Sequence, residues 1–119
     1  MRSDTNVYWV ARLAIHDGQD EAFRRVVEEM CAATAHEEGA LNYEWSLSED
    51  GRTCHVLERY ADSDAVRAHI ENIGGFVDRF MAVVDVVGNE VYGSPDEAAR
   101  EALTQFGATF NRPFAGFVR

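Results

Sequence analysis

Basic residues are scarce in this 119-residue chain: 11 lysines and arginines stand against 21 aspartates and glutamates, for a formal net charge of −10. A field of that sign repels phosphate backbones and anionic lipid, so neither nucleic acid nor a membrane surface is expected as a partner. Long apolar runs are missing too. No stretch approaches the roughly 18 residues of a membrane span, and the opening "MRSDTNVYWV" lacks the apolar core of a signal peptide, so a cytoplasmic protein is expected. Two cysteines, Cys31 and Cys54, cannot build a disulfide scaffold and do not stand at metal-ligand spacing. They read as small buried hydrophobes. Gly74-Gly75 matches no phosphate-binding motif, so no nucleotide or flavin is implied. What is present is 46% hydrophobic and 27% charged residues, too apolar for disorder. A chain of this length makes one core and hides roughly two-thirds of its unfolded surface.

The hydrophobic period switches along the chain. "VYWVARLAIH", Val7 to His16, alternates as a first strand and is ended by Asp17-Gly18. From Asp20 the spacing becomes helical, with Phe23, Val26, Val27, Met30 and Ala33 on one side, and runs to about Glu38. Gly39 stands where a left-handed C-terminal cap is expected. A second strand follows, placing Leu41, Tyr43, Trp45 and Leu47 on one face and Asn42, Glu44, Ser46 and Ser48 on the other. Asp50-Gly51 signals a hairpin into a third strand, Cys54 to Tyr60.

Asp62 or Ser63 can cap a helix that Gly74-Gly75 interrupts, and "FVDRFMAVV" continues as a short one. Val84 to Gly93 is rich in β-branched residues and reads as a fourth strand, with Gly88 as a bulge. "DEAAREALTQF" reads as a terminal helix with Pro95 at its first position. The tail "GATFNRPFAGFVR" shows no helical face and carries Phe110, Phe114 and Phe117. The order β-α-β-β-α-β is the ferredoxin-like arrangement of an α+β fold with an antiparallel sheet. Residues 1–93 form that domain, and residues 94–119 a C-terminal helix and tail packing on the same domain or on a dimer partner. Helices cover one sheet face; a homodimer packed sheet against sheet is expected to cover the other.

The stretch "GALNYEWSLSEDGRTCHVLERYADSDAVRAHI" resembles the antibiotic biosynthesis monooxygenase superfamily. The resemblance is carried by Gly39 after helix one, Tyr43 and Trp45 on strand two, Glu58-Arg59-Tyr60 ending strand three, and Ala65 through His69 on the next helix. It covers about Val7 to Tyr92, and it implies a dimeric α/β barrel made by joining two ferredoxin-like sheets. Members include cofactor-free monooxygenases of quinols and anthrones, heme-degrading enzymes and small-molecule isomerases.

Cofactor-free oxygenation needs a substrate that becomes electron-rich on deprotonation, so the protein must supply a base, donors for the developing anion, and a dry aromatic pocket. The resemblance places His69 at the mouth of such a pocket, as base or hydrogen-bond partner. Asn42 could orient a substrate oxygen, while Tyr43 and Trp45 point to the other face as barrel core or, for Trp45, as a substrate contact. Tyr60 and Phe80 are candidates for stacking on a flat ring. Glu58 shares a face with Cys54, Val56 and Tyr60; a structural ion pair with Arg12 is expected first and a catalytic carboxylate second. His55 and Arg59 fall on the alternate face as rim or dimer contacts, and His36 is expected in solvent. The heme-degrading relatives use an Asn, a Trp and a His where this chain has Ala11, Tyr60 and His69, so heme degradation is disfavoured. A quinol-like or polycyclic phenolic substrate with O2, no cofactor and no metal is therefore expected; the alternatives are a non-catalytic binding dimer and an isomerase of a small carbonyl compound.

Overall fold

A computed structural model of the chain describes residues 4–119; Met1–Ser3, the first residues of the expected 1–93 span and of the signal-peptide reading, lie outside the described residues. The elements are β1 (Val7–Ile15), α1 (Asp20–Thr34), β2 (Ala40–Leu47), β3 (Thr53–Tyr60), α2 (Ser63–Asn72), a 3-10 turn (Gly74–Phe76), α3 (Val77–Met81), β4 (Val84–Tyr92), α4 (Glu97–Thr104) and β5 (Ala108–Asn111). The sheet runs β2-β3-β1-β4-β5. Its first four strands pair antiparallel, which makes the expected ferredoxin-like α+β fold, and β5 joins β4 in parallel. No helix among the described residues is long and apolar enough to cross a membrane.

Local chemistry sets the element ends. The Asp62 carboxylate accepts from the Ala65 N–H at 2.8 Å and caps α2. Asp96 does the same for α4 through Ala99, so Pro95 lies before the cap and not inside the helix as expected from sequence. Gly39 is also reassigned. Helix α1 stops at Thr34 with Ala35 still in right-handed geometry, and Gly39 has no left-handed φ. A Cβ at Gly39 would lie 2.5 Å from the Ala65 Cβ, so glycine is needed there because the start of β2 runs against α2.

Two bulges decide which side chains reach the core. In β4, Arg12 pairs with Gly88 but Leu13 pairs with Val86, leaving Val87 as the extra residue. The alternation inverts across it, so Val84 and Val86 share a face with Asn89 and Val91. In β2 the register shifts between Ala40 and Asn42, and Leu41, expected beside Tyr43 and Trp45, falls at the irregularity with half its surface exposed.

The buried face carries two apolar clusters. Leu13, Phe23, Val26, Met30, Cys54 and Val56 lead one; Val7, Trp9, Tyr60, Val66, Val91 and Leu103 lead the other. Each such side chain contributes roughly 1.5–3 kcal/mol by leaving water. Helix α4 adds Ala99 and Leu103 to the second cluster, and Phe110 of β5 packs at its margin. The extension thus closes the end of the sheet that α1 leaves uncovered.

Candidate active site

Between the two clusters the sheet and helices enclose a cavity of about 70 Å³. Ala11 and Val56 lie on its floor, with Trp9, Tyr43, Trp45, Glu58 and Asn89 around them; His69 and Ile73 of α2, Phe80 of α3 and Leu103 of α4 form the remaining wall. The floor is open because Ala11 is small where its neighbours on that face, Trp9 and Leu13, are large. Aromatic edges shape one end: Trp45 meets Tyr43 at 5.6 Å and Phe80 at 5.7 Å between centroids, both edge to face.

Glu58 stands in this wall although it is only 8% exposed. Such a carboxylate is tolerable only when its oxygens are satisfied. Its Oε2 accepts from Trp9 Nε1–H at 2.8 Å, and its Oε1 accepts from the Tyr60 hydroxyl at 2.7 Å. His69 Nε2 lies 3.3 Å from the same Oε1. Trp9 stacks on Tyr60 at 4.8 Å, which holds both donors in place. Strand pairing explains the arrangement: Trp9 is opposite Glu58 across β1 and β3, and Tyr60 is two residues on along the same face.

His69 is 2% exposed and faces a second carboxylate. Its Nδ1–H donates toward both oxygens of Glu37, at 3.0 and 3.2 Å. Asn72, one helical turn on, donates to Glu37 Oε2 at 2.8 Å and to the Ala33 carbonyl at 3.1 Å, fixing Glu37 in turn. Burial pulls the imidazole pKa down, but hydrogen bonds and attraction from Glu58 and Glu37 outweigh it and the net direction is up. Carboxylates only accept, so the Nδ1 that faces Glu37 is the nitrogen that carries the proton of the neutral ring. Tyr60 and Tyr43 move upward as well, by burial first and the nearby Glu58 charge second, so both stay protonated. The wall therefore combines a histidine with a raised pKa, the Glu58 carboxyl group beside it and neutral phenols around an apolar space. That arrangement can give and take a proton at one place.

The family model for antibiotic biosynthesis monooxygenases matches residues 6–72, more than half of the chain. The chain belongs to the antibiotic biosynthesis monooxygenase family. Among solved structures, MupZ from Pseudomonas fluorescens is similar with a TM-score of 0.85 at 24% identity, over 98% of this chain and 91% of that one. Coverage that complete takes in α4 and β5. Rv0793 from Mycobacterium tuberculosis matches with a TM-score of 0.67 at 24% identity, over 78% of this chain and 98% of that one. SnoaB from Streptomyces nogalater, a cofactor-independent oxygenase, matches with a TM-score of 0.66 at 18% identity, over 79% and 96%. At these identities the likeness is one of fold. No curated protein matches the chain in sequence.

Within this family frame, the structure brings His69, Trp45 and Phe80 to the cavity. The expected Arg12–Glu58 ion pair does not form. Arg12 pairs with His55 and Gly88 in register, which puts it on the opposite sheet face from Glu58. Asn42 is not brought to the cavity either: it pairs with Arg59, on the face away from Tyr43, Trp45 and the helices. Tyr60 is fully buried behind Glu58 and does not line the space, so its place is that of a donor to the carboxylate and not a stacking partner. His36 is exposed, as expected.

Three residues were missed. Alternation alone places Trp9 on one face of the first strand and says nothing of its N–H, which anchors Glu58. Glu37 sits in the turn after α1, where no periodicity assigns a direction. Asn89 had a usable signal: Gly88 marks a bulge, whose extra residue is Val87, and the inverted alternation sends Asn89 inward with Val91.

Proposed function

We propose that this protein is a cofactor-independent monooxygenase that deprotonates a quinol-like or polycyclic phenolic or anthrone substrate and lets the anion react with O2. The carrying observation is the buried Glu37–His69–Glu58 relay on the wall of an aromatic cavity. With His69 protonated the three groups sum to one negative charge, so Glu58 can accept the substrate proton while the imidazolium steadies the anion left behind. The anion gives one electron to O2, the radicals combine to a hydroperoxide, and loss of water leaves one oxygen atom on the ring. His69 then acts as charge partner and proton relay, and Glu58 as base. The family and the fold likeness to SnoaB support the oxygenase reading.

The space of about 70 Å³ is smaller than the roughly 300 Å³ of the smallest common ligand pockets, so a ring system enters only as side chains of the wall move apart. We take the working unit to be a homodimer joined through the open sheet face, where Leu57 and Val87 are exposed and Tyr8 stacks on Tyr92 at 5.4 Å. A second reading, proton transfer without oxygen such as isomerisation of a carbonyl compound, draws on the same relay because it holds an acid and a base side by side.

Oxygen uptake by the purified chain with reduced quinones and anthrones tests the first reading. Uptake above the autoxidation blank is expected, falling at least about 100-fold in Glu58→Gln and His69→Gln variants whose circular dichroism is unchanged. Substrate turnover without oxygen uptake would favour the second reading.

A further inference from the structure

Two residues that line the cavity each carry a buried polar atom with no hydrogen-bond partner among the described residues: Trp45 Nε1, a donor, and Asn89 Oδ1, an acceptor. Asn89 is 4% exposed, and its amide Nδ2 is turned to the Phe106 carbonyl at 3.4 Å, which leaves the oxygen free. Buried groups of this kind cost free energy unless something pairs with them, and natural folds seldom leave them open.

Their placement is ordered. Trp45 pairs with Val56, Val56 with Ala11, and Ala11 with Asn89, so the four residues form one row across β2, β3, β1 and β4 on the cavity face. Three strand spacings separate the ends of the row, roughly 14 Å between backbones. The middle of the row is Val56 and Ala11, a flat apolar floor. The adjacent row, two residues along, is Tyr43, Glu58, Trp9 and Val91, which sets the relay along one long edge of that floor. A donor at one end, an acceptor at the other and a proton-transfer group at the side describe the outline of a flat molecule with oxygen functions at both ends.

We infer that Trp45 and Asn89 are the specificity-determining contacts of this site: Trp45 N–H donates to a carbonyl or other acceptor at one end of a fused-ring ligand, and Asn89 Oδ1 accepts from a hydroxyl at the other. The inference rests on the reading of the cavity as a substrate site, but not on the oxygen chemistry. It narrows the substrate to ring systems carrying an acceptor and a hydroxyl on opposite sides. A ring with one oxygen function leaves one of the two protein groups unpaired, and discrimination of that origin is strong because the penalty falls on the wrong ligand.

Binding of three matched probes, followed by tryptophan fluorescence and calorimetry on the full chain, tests this without turnover. The probes are 6-hydroxy-1-tetralone, which has both groups, 6-methoxy-1-tetralone, which cannot donate, and 5,6,7,8-tetrahydro-2-naphthol, which lacks the carbonyl. Wild type is expected to bind the first about tenfold or more tighter than either of the others. Asn89→Leu should erase the preference for hydroxyl over methoxy and keep the preference for the carbonyl; Trp45→Phe, which removes the N–H and keeps an aromatic ring, should do the reverse. Equal binding of the three probes by wild type, binding of none, or preferences that survive both substitutions would overturn the inference. Should the preferences hold while no quinol or anthrone supports oxygen uptake, the oxygenase reading fails and the recognition row stands.

Discussion

On the helix-covered face of the sheet, Glu58 receives Trp9 and Tyr60 and faces His69, while one residue along the same strand Arg59 points to the open face and donates to Asn6 at 2.6 Å. Both are charged residues of the hairpin, and they live under different rules. In the interior a lone charge costs several kcal/mol, so Glu58 persists only as one member of a network that reaches through His69 to Glu37 and Asn72. On the open face, water or a neighbouring surface does most of the work, and a single pair contributes little. Ionisable side chains therefore crowd this hairpin for two unrelated reasons, and only the inner set is organised for proton transfer.

Removing one member of the inner network is the most direct way to break that contrast. Glu58→Ala leaves Trp9 N–H and the Tyr60 hydroxyl without their acceptor and removes the carboxyl group facing His69 Nε2, and is expected to lower stability by about 3–5 kcal/mol in urea unfolding. Replacement by Gln keeps an acceptor oxygen for one donor and should recover part of the loss. If Glu58→Ala were as stable as wild type, the carboxylate would not be a structural keystone of the buried face.

The two faces also differ in how tightly the backbone is approached. At Gly39 an added Cβ meets Ala65 at 2.5 Å, on a helix that cannot withdraw without disturbing the His69 side; at Gly88 the nearest atom is the tip of the Arg12 guanidinium, at 2.6 Å, which can swing away. Gly39→Ala is expected to cost about 1–3 kcal/mol. Gly88→Ala should stay within about 0.5 kcal/mol of wild type. Paired thermal melts of the two variants check this, and a larger loss at Gly88 would mean that Arg12 is held more firmly than its position suggests.

How much of this could be read from the chain follows from the same contrast. The strand order and the helices were legible because alternation and helical spacing are local properties, and Glu58 on a face with Cys54, Val56 and Tyr60 came from parity alone. The partner of Glu58 did not, because Arg12 and Trp9 lie on opposite faces of β1 and only the register between strands selects Trp9. Asn42 was credited with the cavity because either face of β2 could have been the inner one; the aromatic face turned out to be it. Glu37 was invisible for a different reason: it is placed by the turn between Thr34 and Ala40, where the Glu37 N–H donates to the Thr34 carbonyl at 2.9 Å, and no periodicity survives in a turn.

The third contrast is in response to pH. His69 has a folded pKa above its ordinary value near 6.5, so the native state binds more protons than the unfolded state in the window that begins there and extends up through the folded pKa. The stabilisation is fully present below that window and is lost as pH rises across it. Stability from urea unfolding should therefore decline from about pH 6.5 upward. On the exposed side, His16 is 3.0 Å from Asp85 and its pKa is raised in the same direction, by the Asp85 hydrogen bond first. The two contributions have the same sign, and they separate by burial: salt screens the His16 pair and leaves the interior one largely intact. A His69→Gln variant measured beside wild type at about 0.5 M salt should show a flatter decline, whereas His16→Gln should match wild type under those conditions. A decline that persists unchanged in His69→Gln would place the titrating group elsewhere and remove the imidazolium from the relay.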